Sequence, residues 1–157
     1  MLLIVVRHGE AERKSSNIAD EERKLTPAGE AHLRHNLTMA KELVNRHIDL
    51  VLSSPLIRAR ESAKIAMEIF ESPRMEIEKS LTSDSEPYEV FQILSRYRGL
   101  CIILVSHQPL VSRLLCSLLS WDDRHFSFET GAVAVAEITE IRENAAGVLR
   151  ALIQNVC

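Results

Sequence analysis

The residues with the clearest chemical potential are two histidines, each of which ends a short apolar run of the chain. His8 follows the run Leu2–Val6 and the cationic Arg7, and His107 follows the run Leu100–Ser106. A neutral imidazole is a nucleophile toward phosphorus, and its ordinary pKa of about 6.5 leaves much of it neutral near pH 7. His8 could therefore accept a phosphoryl group. A protonated His107 could donate a hydrogen bond to the same group, since a nearby anion favours protonation.

Arginines supply the second requirement of such chemistry, which is a set of donors around the phosphate oxygens. Arg7 is adjacent to His8, and Arg58 lies in the first turn of the helix predicted after Ser53–Pro55. Guanidinium groups bind phosphate in a bidentate manner, and phosphoryl transfer depends mainly on positioning and charge complementarity. Arg60 points about 200° away from Arg58 on a helix, so only one of the two can face the site.

Alternating apolar strands and amphipathic helices must position these groups. Strands are predicted at residues 2–6, 49–54, 75–79 and 100–106, helices at 26–46, 55–70, 87–97 and 109–119, and a closing antiparallel hairpin at 132–141 and 148–155. This order predicts a three-layer α/β/α fold with a mostly parallel central sheet and a C-terminal antiparallel strand or hairpin. We expect residues 1–157 to form a single domain.

The same fold predicts where the two histidines meet. Ligands bind at the carboxyl ends of strands in an open α/β sheet, so His8 and His107 are expected to share one crevice. The segment from Glu12 to Lys24 is charged and has no apolar period, which predicts a loop, with residues 21–24 solvated.

Composition narrows the classes of function. The 157 residues are 46% hydrophobic and 26% charged, as in ordinary soluble globular proteins, and the formal net charge of -3 argues against general attraction to nucleic acid or anionic membranes. Three cysteines without metal-type spacing indicate a reducing setting, and the N-terminal apolar run is too short for a signal peptide or a membrane span. The cytoplasm is therefore the expected compartment.

Four motifs in this order resemble the histidine phosphatase (phosphoglycerate mutase-like) superfamily. They are Arg7-His8-Gly9-Glu10, Leu25-Thr26-Pro27-Ala28-Gly29, Ser54-Pro55-Leu56-Ile57-Arg58-Ala59 and Ser106-His107. The resemblance implies that His8 is the nucleophile, that Arg7 and Arg58 bind phosphate, and that His107 stabilises the transferring group. It also implies a two-step reaction in which water hydrolyses a phosphohistidine enzyme, with no metal and no cofactor.

Within the superfamily, the short chain and its opening motif are most similar to SixA-type phosphohistidine phosphatases. The mutase and sugar-phosphatase branches usually carry Ser or Thr at the position of Ala11, Asn at that of Lys14, and insertions that roof the site. An open site suits a macromolecular substrate.

The predicted substrate is thus a phosphohistidine-bearing protein, such as a phosphotransfer domain. A small-molecule phosphomonoesterase acting on a small phosphate ester and a non-catalytic phosphate-binding module are the alternatives. The oligomeric state is left open.

The proton donor and the last phosphate contacts are also left open. Asp84 and Glu86 follow the third predicted strand, where a carboxylic acid could protonate a leaving group. The resemblance also implies that Thr130 and Gly131 lie where the last strand begins near the site, and a backbone N–H there could contact phosphate. The imidazole of a phosphohistidine can depart without strong protonation, so the lack of a clear acid favours a phosphoramidate substrate.

Overall fold

The computed structural model describes residues 1–122, 126–141 and 147–154. Its strands are β1 (Leu2–Arg7), β2 (Leu50–Ser53), β3 (Met75–Ile77), β4 (Cys101–Ser106), β5 (Val133–Ile138) and β6 (Gly147–Ile153), and its helices are α1 (Pro27–Leu43), α2 (Ile57–Phe70), α3 (Pro87–Ser95) and α4 (Leu110–Leu119). These elements match the predicted ones to within a few residues. The turn predicted between the last two strands, at residues 144–146, lies outside the described residues, as does position 155.

All six strands form one sheet in the order β3-β2-β4-β1-β5-β6. The neighbours among β1 to β4 pair in parallel, whereas β5 is antiparallel to β1 and β6 is antiparallel to β5. The predicted mixed sheet, mostly parallel with antiparallel C-terminal strands, is therefore confirmed.

Helices cover both faces of the sheet, which explains why β1 is apolar at nearly every position. Leu3 and Val5 pack into a core with α3 and α4, while Ile4 and Val6 pack into a second core with α1 and α2. All four side chains are fully buried. No helix of the described ranges is long and apolar enough to cross a bilayer.

The crevice that receives the histidines lies between β1 and β4. These strands are neighbours in register, with Arg7 opposite Ser106, so the residue after each strand emerges at the same edge. The chain then runs from β1 to α1 on one face and from β4 to α4 on the other. Such a reversal opens a cleft at the carboxyl ends of the strands.

The start of α1 holds the loop that follows β1. Thr26 caps the helix, accepting a hydrogen bond from the Gly29 N–H at 2.9 Å, and its own N–H donates to the Glu10 carbonyl at 2.9 Å. A Cβ on Gly29 would lie 2.2 Å from that carbonyl oxygen. Glycine is thus required for α1 to approach the loop carrying His8.

Candidate active site

His8 is held in one tautomer directly after β1. The side chain is 7% exposed, and its Nδ1 lies 2.7 Å from the carbonyl oxygen of Gly9. A carbonyl only accepts hydrogen bonds, so Nδ1 carries the proton and Nε2 holds the lone pair. The Nε–H of Arg58 donates to Nε2 across 3.3 Å. Nε2 is therefore the ring nitrogen with a free lone pair, and it lies beside a guanidinium.

Burial keeps the His8 ring neutral. Desolvation lowers the pKa of His8 to about 4, the hydrogen bond to Gly9 opposes this shift, and the charges of Arg58, Arg7 and Arg23 lower the pKa further. A neutral imidazole is the nucleophilic form. At neutral pH, His8 thus has the protonation state that a nucleophilic imidazole needs, without a separate base.

His107 lies against His8, as the shared crevice predicted. The centroids of the two rings are 4.9 Å apart, His107 is 2% exposed, and its Nε2 is 2.7 Å from Oγ of Ser54. Its Nδ1 is buried and has no hydrogen-bond partner in the described part of the chain. Burial lowers the pKa of His107 to about 3. The neighbouring His8 ring and the charges of Arg58 and Arg7 also lower this pKa, and Asp20 opposes them, so the His107 ring is neutral as well. An arriving phosphoryl anion would favour its protonation.

Two arginines flank the histidines. Arg58, in the first turn of α2, is 6% exposed and donates from NH1 and NH2 to the carbonyl and carboxylate of Asp20 at 2.6 and 3.0 Å. Arg7 donates from NH1 to the Phe128 carbonyl at 2.8 Å, and its buried Nε has no partner among the described residues. Arg60 is exposed, as the helical spacing predicted.

Hydrogen bonds to backbone groups link these segments. Oγ of Ser62 donates to the Arg58 carbonyl at 2.7 Å and accepts from the Gly9 N–H at 3.1 Å, which joins α2 to the His8 loop. The Gly131 N–H donates to the carbonyls of Arg7 and His8 at 3.2 and 3.0 Å. That N–H, considered from the sequence as a phosphate contact, is thus used to fix the end of β1. The half-buried Thr130 precedes it.

The charged segment between β1 and α1 corrects one expectation from the sequence. Glu21, Glu22 and Lys24 are exposed, but the side chain of Arg23 is only 14% exposed and Asp20 is bound to Arg58. The chain folds back here because Ala11 pairs with Leu25, which returns the segment to the crevice. The sequence feature that could have indicated this fold-back is the pair Asp20 and Arg23, an acid and a base three residues apart, shortly before the cap of α1 at Thr26.

Asp20 stays ionised in this position. Partial burial acts to raise its pKa, but the hydrogen bond from Arg58 and the charges of Arg58, Arg23 and Lys14 prevail and lower the pKa below its ordinary value. Asp20 is therefore a fixed negative charge of the site.

The two carboxyls considered as proton donors have other partners. Asp84 is exposed and accepts a hydrogen bond from the Ser83 hydroxyl at 3.3 Å. Glu86 precedes α3, is exposed, and pairs with Arg113 at 3.0 Å. Within the described ranges, neither carboxylate forms a hydrogen bond with the histidines or arginines of the site.

Known structures share this architecture. The protein histidine phosphatase SixA, solved in complex with tungstate, is 25% identical with a TM-score of 0.82, over 98% of this chain and 96% of that one. A protein of Agrobacterium tumefaciens, assigned as a phosphohistidine phosphatase SixA, is 19% identical with a TM-score of 0.83, over 98% and 97% of the two chains. The alpha-ribazole phosphatase of Shigella flexneri is 21% identical with a TM-score of 0.72, over 99% and 100%.

The family assignment comes from the sequence of the first half. Comparison with curated proteins gives no match. The model of the histidine phosphatase superfamily (branch 1), however, matches residues 3–82, just over half of the chain. That range contains Arg7, His8 and Arg58, and the paired strand β4 brings His107 to them. The chain belongs to the histidine phosphatase superfamily.

Proposed function

We propose that this protein is a phosphohistidine phosphatase, which removes phosphate from a phosphohistidine-bearing protein through a covalent phosphohistidine intermediate on His8. The observation that carries the proposal is the tautomer, charge and orientation of the His8 ring. Its Nδ1 is committed to the Gly9 carbonyl, its ring is neutral, and its Nε2 faces Arg58 at the edge of the sheet. This is the arrangement that a nitrogen nucleophile toward phosphorus requires.

The geometry supports a two-step displacement. Nε2 of His8 attacks phosphorus, a new N–P bond forms, and the N–P bond of the substrate breaks. Water then attacks the phosphorylated ring, which releases orthophosphate and restores the neutral imidazole. Donors of Arg7, Arg58 and His107 stabilise the charge on the equatorial oxygens, which is the main source of rate in phosphoryl transfer.

The acidic groups of the site favour a phosphoramidate substrate. An alkoxide leaving group needs a strong proton donor, whereas a phosphohistidine ring protonated on its other nitrogen leaves as neutral imidazole. Asp20 is bound to Arg58 and held ionised, so it has no proton to give. Glu86 is paired with Arg113. A substrate that supplies its own good leaving group fits this set of residues.

We also propose that the reaction needs no metal and that the protein acts in the cytoplasm. The groups around His8 are dominated by arginines, whose positive charge opposes a cation and attracts phosphate. The cysteine usage of the chain is that of a reducing compartment.

The deciding experiment compares phosphate release from a phosphohistidine-bearing phosphotransfer protein with release from p-nitrophenyl phosphate and 3-phosphoglycerate, in buffer containing EDTA. His8→Asn serves as the inactive control. We expect the phosphohistidine protein to have the highest kcat/KM. A preference for either ester would instead assign the chain to small-molecule phosphomonoester hydrolysis, and phosphate binding without turnover of any substrate would identify a non-catalytic module.

A further inference from the structure

Arg23 is a largely covered cation in a mostly exposed segment. Its side chain is 14% exposed, against 80% for Lys14 in the same connection between β1 and α1. Its Nε lies 3.4 Å from Oδ1 of Asp20, and Oδ2 of Asp20 accepts from Arg58 at 3.0 Å. One carboxylate therefore lies between two guanidinium groups, one from the segment and one from the predicted phosphate site.

The donors of Arg23 are largely unused. Its side chain forms no hydrogen bond within the described residues, and its Nε is fully buried without a hydrogen-bond partner there. Arg58, in contrast, uses Nε, NH1 and NH2 on His8 and Asp20. A guanidinium carries five N–H groups, so Arg23 keeps donors beyond its ion pair with Asp20, the carboxylate that also binds Arg58 of the crevice.

The charges of the site also point to an anion. Arg58 contacts His8, and the charges of Arg7 and, to a smaller extent, Arg23 also act on the His8 ring. Asp20 lies against two of these arginines and Glu129 acts on Arg7, while the exposed Lys14 adds a positive charge beside Asp20. Positive groups around the site therefore outnumber carboxylates, four to two. Buried like charges are unfavourable unless they are compensated, and a phosphoryl dianion supplies the missing charge.

We propose that Arg23 is a third phosphate-binding arginine of this site, and that Asp20 is a positioning residue that holds Arg23 and Arg58 toward the same anion. This inference rests on the proposed function only for the identity of the anion. It assigns part of the substrate pocket to the segment between β1 and α1, which the sequence had predicted to be solvated in part.

The test measures binding of inorganic phosphate by isothermal titration calorimetry, which requires no turnover. Arg23→Gln should weaken binding by roughly 10- to 100-fold, as expected for loss of a charge-assisted contact. Arg23→Lys keeps the charge and should recover part of the affinity. Arg13→Gln is the matched control, because this substitution removes the same charge from an exposed arginine of the same segment. It should bind phosphate within about twofold of wild type.

A second pair of variants separates direct binding from an effect through Asp20. We compare Asp20→Asn with the double variant Asp20→Asn/Arg23→Gln. If Arg23 contacts phosphate itself, its removal weakens binding by a similar factor in both backgrounds. Wild-type affinity in Arg23→Gln, or a loss that disappears in the Asp20→Asn background, would overturn the proposal. Arg23-dependent phosphate binding in a protein without phosphohistidine turnover would reject the proposed function and leave this inference standing.

Discussion

The Nε–H of Arg58 donates to Nε2 of His8 across 3.3 Å, so the guanidinium lies on the lone pair that attacks phosphorus in the proposed mechanism. In that mechanism, the same contact fixes the direction from which a phosphoryl group approaches Nε2 of His8. A phosphoryl group entering along the lone pair meets Arg58 first, and the donor can pass from the ring nitrogen to a phosphoryl oxygen as the N–P bond forms. Nucleophile and oxygen-binding group are thereby aligned before substrate arrives, which reduces reorganisation during the reaction.

Replacing His8 by alanine should abolish turnover and the covalent phosphoenzyme together. The ring is the only part of the residue that can form the N–P bond, and its loss leaves the strand end intact. The measurement is acid-labile radioactive phosphate on the protein after rapid quenching. His47→Ala, which removes an exposed histidine, is the control and should keep the intermediate. An active His8→Ala protein contradicts the mechanism.

Replacing Arg58 by alanine should lower kcat by roughly 10²-fold or more, as loss of a transition-state donor does. Arg60→Ala removes the same charge from the exposed face of α2 and should leave kcat close to wild type. Steady-state rates on the best substrate compare the two variants, with circular dichroism to establish folding. Equal effects of both substitutions would show that Arg58 acts only through general charge.

His8 should remain neutral far below the pH at which an ordinary histidine is protonated. Burial, followed by the arginine charges, lowers its pKa to about 4, so protonation and loss of the nucleophile should occur as the pH falls through about 4. Histidine NMR between pH 3 and 8, with His8→Asn to assign the signal, measures the midpoint directly. A midpoint near 6.5 would mean that the ring is exposed to water in solution.

The central part of the site could be predicted because each residue stands directly beside a regular element. His8 and His107 end apolar strands, and Arg58 opens a helix, so local pattern and strand register suffice to bring them together. Asp20 and Arg23 could not be placed in this way. Their position depends on contacts between residues distant in sequence, such as the hydrogen bond that the Leu25 N–H donates to the Glu61 carboxylate at 2.8 Å. A polar segment has no hydrophobic periodicity from which such contacts could be predicted.

The two buried rings should make the folded protein sensitive to acid. The unfolded chain protonates them near pH 6.5, whereas burial lowers the pKa of His8 to about 4 and of His107 to about 3 in the folded state. The unfolded state therefore binds more protons, and stability that is present above pH 6.5 declines as the pH falls toward 4.

His107→Gln should reduce that decline, by about 2 kcal/mol between pH 7 and pH 5, because one such group is removed. Urea denaturation at both pH values gives the free energy of unfolding, and His47→Gln is the control for loss of an exposed histidine. Equal pH dependence in wild type and His107→Gln would contradict the assignment of His107 as a buried neutral ring.

Gly29→Ala should destabilise the protein and disable the site at once. The added methyl group would lie 2.2 Å from the Glu10 carbonyl oxygen and 2.7 Å from the Glu10 nitrogen, and neither backbone atom can move without shifting the loop that carries His8. We expect a loss of about 3 kcal/mol or more in the free energy of unfolding, at the upper end of overpacking effects. Since the same loop orients Nε2, kcat should fall even in the fraction that folds. Ala28→Ser, one residue earlier and exposed, is the matched control and should behave as wild type. If Gly29→Ala proved as stable and active as Ala28→Ser, the close approach of α1 to the His8 loop would not hold in solution.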